Sequence, residues 1–426
     1  MSAFKDGMKR MLGAAAAIAF VAGLLAGVSD TRVQAREKKV EEAAKGPKLT
    51  EAVRKQLLDA QTKQKAGDNA GALVALRAAE QVPGRTPDDN FYIANIKISV
   101  AQATKDNALL KEALQNALDS GQTNPEQTLT FTRILGDMAA NAKDYPTAVR
   151  YYEAVAKLKP NDLEVTANIA KLKFDNKSLP VADRIAALKN ATEIAERAGQ
   201  KAEEFLYQAR LSLAYDAKLV TETNPAAQAL IRAYPKPKNW ESAIYTFRGN
   251  LKLDDQTDLD TYRLQRATGA MTGEGQYLDY AQTAQLRGLP GESRAVLAEG
   301  VAKKVIDPAK PGYQELARVV TPAKVAADRA SLPASEKQAT ASATGKLANA
   351  TADGYFAHGD YARAATLYRL ALTKGGVDNA RVNTRLGVAL GMSGDKAGAE
   401  AALKAVTGEP RATLAQYWLI WLAQKA

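Results

Sequence analysis

One histidine and no cysteine leave this chain of 426 residues little with which to do bond chemistry. A Ser-His or Cys-His nucleophile needs an imidazole held by a neighbouring acid. His358 instead stands before Gly359-Asp360 at the end of a helical stretch, where a cation favours the helix C-terminus. Zinc needs several His, Cys or clustered carboxylates. Without cysteine, disulfides, thiolate sites and lipidation are excluded. The densest acidic run, Asp254-Asp255-Gln256-Thr257-Asp258, lacks the glycine and terminal Glu of a calcium loop and reads as a helix cap. Gly345-Lys346 lacks the earlier glycine of a phosphate-binding loop, and Leu347 stands where Ser or Thr belongs. Gly273-Glu274-Gly275 has no strand before it, so dinucleotide binding is unsupported. The residues therefore name no catalytic, cofactor or metal site, and the chain is expected not to be an enzyme. Two carboxylates brought together by the fold are the one catalytic arrangement left open.

The elements carrying these residues are helices. The composition is 46% hydrophobic and 25% charged, the balance of a folded protein. Much of the apolar content is alanine, which favours helix and lets helices approach closely. Sustained alternation of β-branched residues and Asn-Gly hairpin turns are missing. The helical stretches come in pairs separated by short polar turns. In TADGYFAHGDYARAATLYRLAL (351–372), Gly359 supplies the positive φ that ends one helix, and Asp360 caps the next. The following turn, Ser393-Gly394-Asp395, lies 35 residues on.

A register runs through the second helices: a small residue, a large apolar one four later, a small one three after that. Ala364, Tyr368 and Ala371 fit, as do Ala72, Leu76 and Ala79, and Ser293, Leu297 and Gly300. Ala148 and Tyr152 fit before the terminating Pro160; Leu110 and Leu114, Ala243 and Phe247, and Ala399 and Leu403 fit more loosely. Ala72, Leu110 and Ala148 recur at 38-residue steps, and Ala364 and Ala399 lie 35 apart. This pattern resembles the tetratricopeptide repeat (TPR), a helix–turn–helix unit with a period of about 34 residues. The resemblance implies an all-α solenoid of antiparallel helix pairs forming a superhelix, irregular in the middle, and a protein–protein interaction function.

The chain divides on this reading into a signal peptide at 1–35 and a linker at 36–48. TPR-like helical repeats follow at 49–235, irregular helical repeats at 236–345, and a C-terminal TPR pair with a capping helix at 346–426. Lys5, Lys9 and Arg10 precede the uncharged stretch Leu12–Val28 and the site Val33-Gln34-Ala35, the pattern of a cleavable secretory signal. No later segment is long and apolar enough to span a bilayer, so the expected location is periplasmic. IRAYPKPKNW (231–240) and DPAKPGYQ (307–314) interrupt helix with proline, and 331–346 reads as a weak helix or a mobile connection. The last fifteen residues read as one helix whose tryptophans cover the final apolar face.

In the TPR register, first helices line a concave face. The groove candidates for a protein or peptide partner are Tyr92, Asn95, Ser99, Arg133, Asp137, Asn141, Asn349 and Asp353. Members of each set recur at three- or four-residue steps and so share one helix face. The carboxylate-clamp pattern of the family is incomplete. The net charge is +11, but it is interleaved with acidic residues and forms no nucleic-acid patch. Three functions are compatible with these features: a periplasmic scaffold or adaptor of the cell envelope, a binder of anionic envelope polymers through a basic surface, or an envelope hydrolase with a carboxylate pair in the irregular middle.

Overall fold

The computed structural model describes residues 48–425. The expected signal peptide and nearly all of the expected linker lie outside them. Among the described residues every regular element is a helix, and none is long and apolar enough to cross a membrane. The architecture is an all-α solenoid of antiparallel helix pairs. It divides into two compact units between Ala202 and Glu203. The sequence boundaries at 235/236 and 345/346 both fall inside the second unit.

Unit 1 holds four pairs: α1 (Glu51–Lys65) with α2 (Asn69–Glu80), α3 (Pro87–Thr104) with α4 (Asn107–Asp119), α5 (Pro125–Asn141) with α6 (Tyr145–Leu158), and α7 (Leu163–Asp175) with α8 (Val181–Arg197). One device makes the first three turns. The residue ending the first helix is left-handed, at Gly67, Lys105 and Lys143 (φ 82°, 57° and 58°). An aspartate comes next and caps the second helix. Asp68 accepts from the Gly71 N–H at 2.7 Å, Asp106 from Leu109 at 3.0 Å and Asp144 from Thr147 at 3.2 Å. The carboxylate satisfies a backbone donor the helix cannot use itself. Replacing Asp106 with alanine is expected to cost about 1 kcal/mol. Lys105→Gly should instead gain about 0.5–1 kcal/mol, because a side chain is strained at positive φ. Urea unfolding of the two variants should move the midpoint in opposite directions.

The small residues of the register sit at the crossings. Ala72, Leu76 and Ala79 are all fully buried, as are Ala148 and, to within 4% exposure, Tyr152. Lys97 of α3 is buried and bridges Glu80 of α2 at 2.5 Å and Glu112 of α4 at 2.7 Å. Burial alone would lower its pKa, yet the two carboxylates hold it raised. α7 and α8 lie beyond Ala148, where the sequence register names no position before Ala243. In α8 the first small position is taken by Arg184, ahead of Leu188 and Ala191, so the motif is broken there.

Unit 2 begins regularly and then departs from the pattern. Its helices α9 (Glu204–Asp216) and α10 (Val220–Ala233) form a pair, with Ala226, Leu230 and Ala233 in register although Pro225 sits inside the helix. Then α11 (Pro237–Asn250) packs on α10 directly, starting at a proline whose missing N–H costs nothing there. Ala243 and Phe247 are buried as the register requires, but on a helix that succeeds a second helix rather than a first. Next comes α12 (Asp255–Ala267), buried on nearly every side from Thr257 to Gln265. α13 (Glu274–Leu286) and α14 (Pro290–Ala302) pair, and α15 (Pro311–Val319) is a short amphipathic helix.

The segment from 331 is part of a 20-residue helix, α16 (Pro322–Ala341), which runs through Pro333. Regular pairing then resumes with α17 (Lys346–Ala357) and α18 (Tyr361–Lys374), and with α19 (Asn379–Ser393) and α20 (Lys396–Lys404). Asp360 and Asp395 cap α18 and α20 as in unit 1, accepting from Arg363 at 3.2 Å and Gly398 at 2.8 Å. Gly387 allows α19 and α20 to cross, since a Cβ there would lie 2.5 Å from Leu403 Cγ.

The last helix, α21 (Arg411–Gln424), does more than cover a final face. It packs on α19 and α20 and also reaches back to α10 and α12. Trp418 and Trp421 are 1% and 5% exposed, and Tyr417 lies edge-on to Trp240 and Phe247. Trp421 Nε1 donates to the Ala267 carbonyl at 3.1 Å, and Gln424 Nε2 to the Ile231 carbonyl at 2.8 Å. Unit 2 is thereby closed on itself by its own C-terminal helix.

Candidate functional site

The groove candidates of unit 1 sit on α3 and α5. Tyr92 is half-buried against the core of the first pairs and edge-on to Phe91. Burial, then Asp88, pushes its hydroxyl pKa up. Asn95 is buried, and its Nδ2 donates to the Phe91 carbonyl one turn back at 2.9 Å. Ser99 Oγ reaches the Asn95 carbonyl at 3.4 Å. On α5, Arg133 donates to Asp162 at 2.9 Å and Glu164 at 3.3 Å, at the start of α7. Asp137 accepts a hydrogen bond from the Tyr152 hydroxyl, whose pKa is raised by burial and by that carboxylate. Asn141 is exposed at the end of α5.

The structure thus brings the unit 1 candidates onto neighbouring first helices, but much of their bonding capacity is spent inside the array. Arg133 ties one pair to the next. Asp137 bolts the first helix of its pair to the second.

The same bolt recurs in unit 2. There Asp353 accepts from the Tyr368 hydroxyl at 2.5 Å, across the same 15-residue separation as Asp137 and Tyr152. Asp353 also takes Arg385 at 2.8 Å. Asn349 is 8% exposed. Both unit 2 candidates therefore face the interior of a closed unit. A large aromatic at the second-helix position and an Asp fifteen residues earlier was the available sequence signal for this contact.

The interior holds a network that local sequence did not disclose. Asp260, 2% exposed, accepts from Arg263 at 2.9 Å, Arg385 at 3.0 Å and Arg411 at 2.9 Å. Those arginines belong to α12, α19 and α21. Burial alone would raise the Asp260 pKa, but the three guanidiniums hold it at about 2. Arg263 also forms a two-pronged pair with Glu292, at 2.8 and 2.7 Å, and Glu292 accepts from Tyr280 at 2.6 Å. Its pKa is lowered too, Arg263 outweighing burial.

An acid–base pair needs one carboxyl held protonated near neutrality. Asp260 and Glu292 are both held ionised. Asp258, raised by burial, is bridged by Arg248 at 2.9 Å. Among the described residues no group of three or more His, Cys, Asp or Glu is placed to hold a metal. His358 caps α17, and its Nε2 lies 2.7 Å from Asp328 of α16.

A cavity of about 470 Å³ opens beside this network in unit 2, lined by residues of α12, α13, α14, α16, α17, α18, α19 and the end of α21. A smaller one of about 260 Å³ in unit 1 is bordered by Glu80, Arg85, Asn90 and Asp119.

No protein-family model matches the chain, and no curated protein is significantly similar to it. Solved structures are similar in their helical build. One is reported under the functional characterisation of PilF from Pseudomonas aeruginosa: 15% identity, 62% of this chain and 96% of that one, TM-score 0.23. The Cut9–Hcn1 hetero-tetramer of APC/C gives 13% identity, 88% and 91% coverage, TM-score 0.21. Naa15/Naa10 bound to HypK-THB gives 13% identity, 88% and 73% coverage, TM-score 0.22. At those scores the likeness carries no functional argument, and the fold assignment rests on the helix pairs themselves.

Proposed function

We propose that this protein is a scaffold that binds protein partners through the first-helix face of unit 1, and that it does so in a bacterial cell envelope. The observation that carries the reading is how that face is built. Arg133 is locked to Asp162 and Glu164, and Asp137 to Tyr152, so the side chains around Ser99 and Asn141 stand on a preset frame. A preset surface loses little conformational freedom on binding. Among the described residues, the main helix contacts within unit 1 run between consecutive helices and between α1 and α3. The envelope location rests on the basic, apolar and small-residue order of positions 1–35.

The test places a photo-reactive residue at Ser99 or Asn141, and at Val74 or Lys111 on second helices as controls, in the full-length chain expressed in its own cells. A discrete crosslinked species is expected in the envelope fraction from the first pair of positions only. Equal crosslinking from all four positions, or none from 99 and 141, would refute the scaffold reading of this face.

A further inference from the structure

We propose that the cavity of unit 2 is a binding site for a small organic monoanion, a carboxylate carried on an apolar body. Its floor is polar and already satisfied. Both oxygens of Glu292 are held by Arg263, and one also accepts from Tyr280. Glu299 receives Arg266 Nε at 2.6 Å, Lys303 at 2.8 Å and the Tyr277 hydroxyl at 3.3 Å. Each carboxylate already accepts three hydrogen bonds and is paired with at least one cation of the protein.

The donors left over are positive. Arg266 gives only its Nε to Glu299, and its side chain stays about one-third exposed (32%) where it borders the cavity. Lys425 projects from the end of α21 with its Nζ 4.5 Å from the Trp421 ring, and no carboxylate among the described residues is within ion-pair distance of it. Among the described residues, Arg266 and Lys425 are thus the cavity-lining cations with donors not taken up by Asp260, Glu292 or Glu299. The lining also includes the apolar side chains of Val325, Phe356, Val388 and Met392.

A carboxylate between Arg266 and Lys425 would meet a guanidinium fork and an ammonium, the groups that bind it most strongly. A dianion such as a phosphate monoester would instead bring a second charge towards Glu292 and Glu299. The volume suits a ligand of dipeptide size. Arg266 belongs to α12 and Lys425 to the end of α21, so an occupant would also tie the closing helix to the buried one. Trp421, under Lys425, would report it.

The chemistry could come from a free acid or from the end of a polypeptide, and the probes separate the two. The full-length protein is titrated with N-acetylphenylalanine, with acetyl-Ala-Ala-Phe, with the amide of each, and with phenyl phosphate, monitoring tryptophan emission and melting temperature. Saturable binding of at least one acid is expected, about tenfold or more tighter than its amide and than phenyl phosphate. A tighter free acid assigns the source as a small molecule, and a tighter peptide acid as a chain end. Lys425→Ala, at an exposed position, should weaken the preferred acid about tenfold while leaving the melting temperature of the unliganded protein in place. Equal binding of acid and amide, no saturable response to either acid, or wild-type affinity in Lys425→Ala would each overturn the proposal.

Discussion

Asp260→Ala should destabilise unit 2 by about 3–5 kcal/mol, because it takes the shared carboxylate from three buried guanidiniums, leaving Arg263 to Glu292 and Arg385 to Asp353 and breaking the ion pair of Arg411. The loss is read by urea unfolding monitored through tryptophan emission. The chain has three tryptophans, at 240, 418 and 421, and all lie in unit 2, so the signal belongs to that unit. Asp260→Asn keeps the shape and an acceptor oxygen but removes the charge, and should fall between the wild type and Asp260→Ala. An Asp260→Ala protein within about 0.5 kcal/mol of the wild type would mean the arginines find water or other partners at little cost.

The same carboxylate sets a pH dependence. Its folded pKa of about 2 lies below the roughly 3.9 of an unfolded aspartate. Its contribution is therefore complete above about pH 4 and is lost as pH falls towards 2. At full strength this is worth about 2.5 kcal/mol. The difference in stability between wild type and Asp260→Asn should narrow across that window.

Trp418→Ala is the second large effect. The indole is 1% exposed and lies edge-on to Trp421 at 5.2 Å, within a helix that touches both ends of unit 2. Removing it takes away buried apolar surface and leaves a cavity that helices on several sides cannot all close. The expected cost is about 3–5 kcal/mol. Trp418→Phe keeps an aromatic body and should cost clearly less. Helix content by circular dichroism, tracked through urea unfolding, gives the measurement independently of the lost fluorophore. If α21 merely frayed against the last pair, Trp418→Ala would shift the midpoint no more than a surface substitution does.

Both predictions concern a feature that local sequence conveyed only in part. The C-terminal run from Leu414 to Leu422 carries apolar residues at core spacing, which is enough to read a buried helix. It does not say that the helix returns to α10 and α12. The groove candidates show a similar division. Tyr92, Asn95 and Ser99 lie on one helix, and Arg133, Asp137 and Asn141 on the next first helix. Spacing could not reveal that Arg133 is engaged by Asp162 or that Asp353 is enclosed with Arg385. Those partners lie on other elements.

By itself the sequence determined the all-helical build, the regular pairs towards the two ends and the turns that join them. Each of those is encoded within a few residues: a left-handed Gly or Lys, an Asp that caps the second helix, alanines at the crossings. The tertiary structure decided where regular stacking stops and what fills the interior of unit 2. Asp260 meets Arg385 and Arg411 across 125 and 151 residues, respectively. A carboxylate that stays ionised when buried must find cations or hydrogen-bond donors once water is removed, but which ones it finds depends on the path of every helix between.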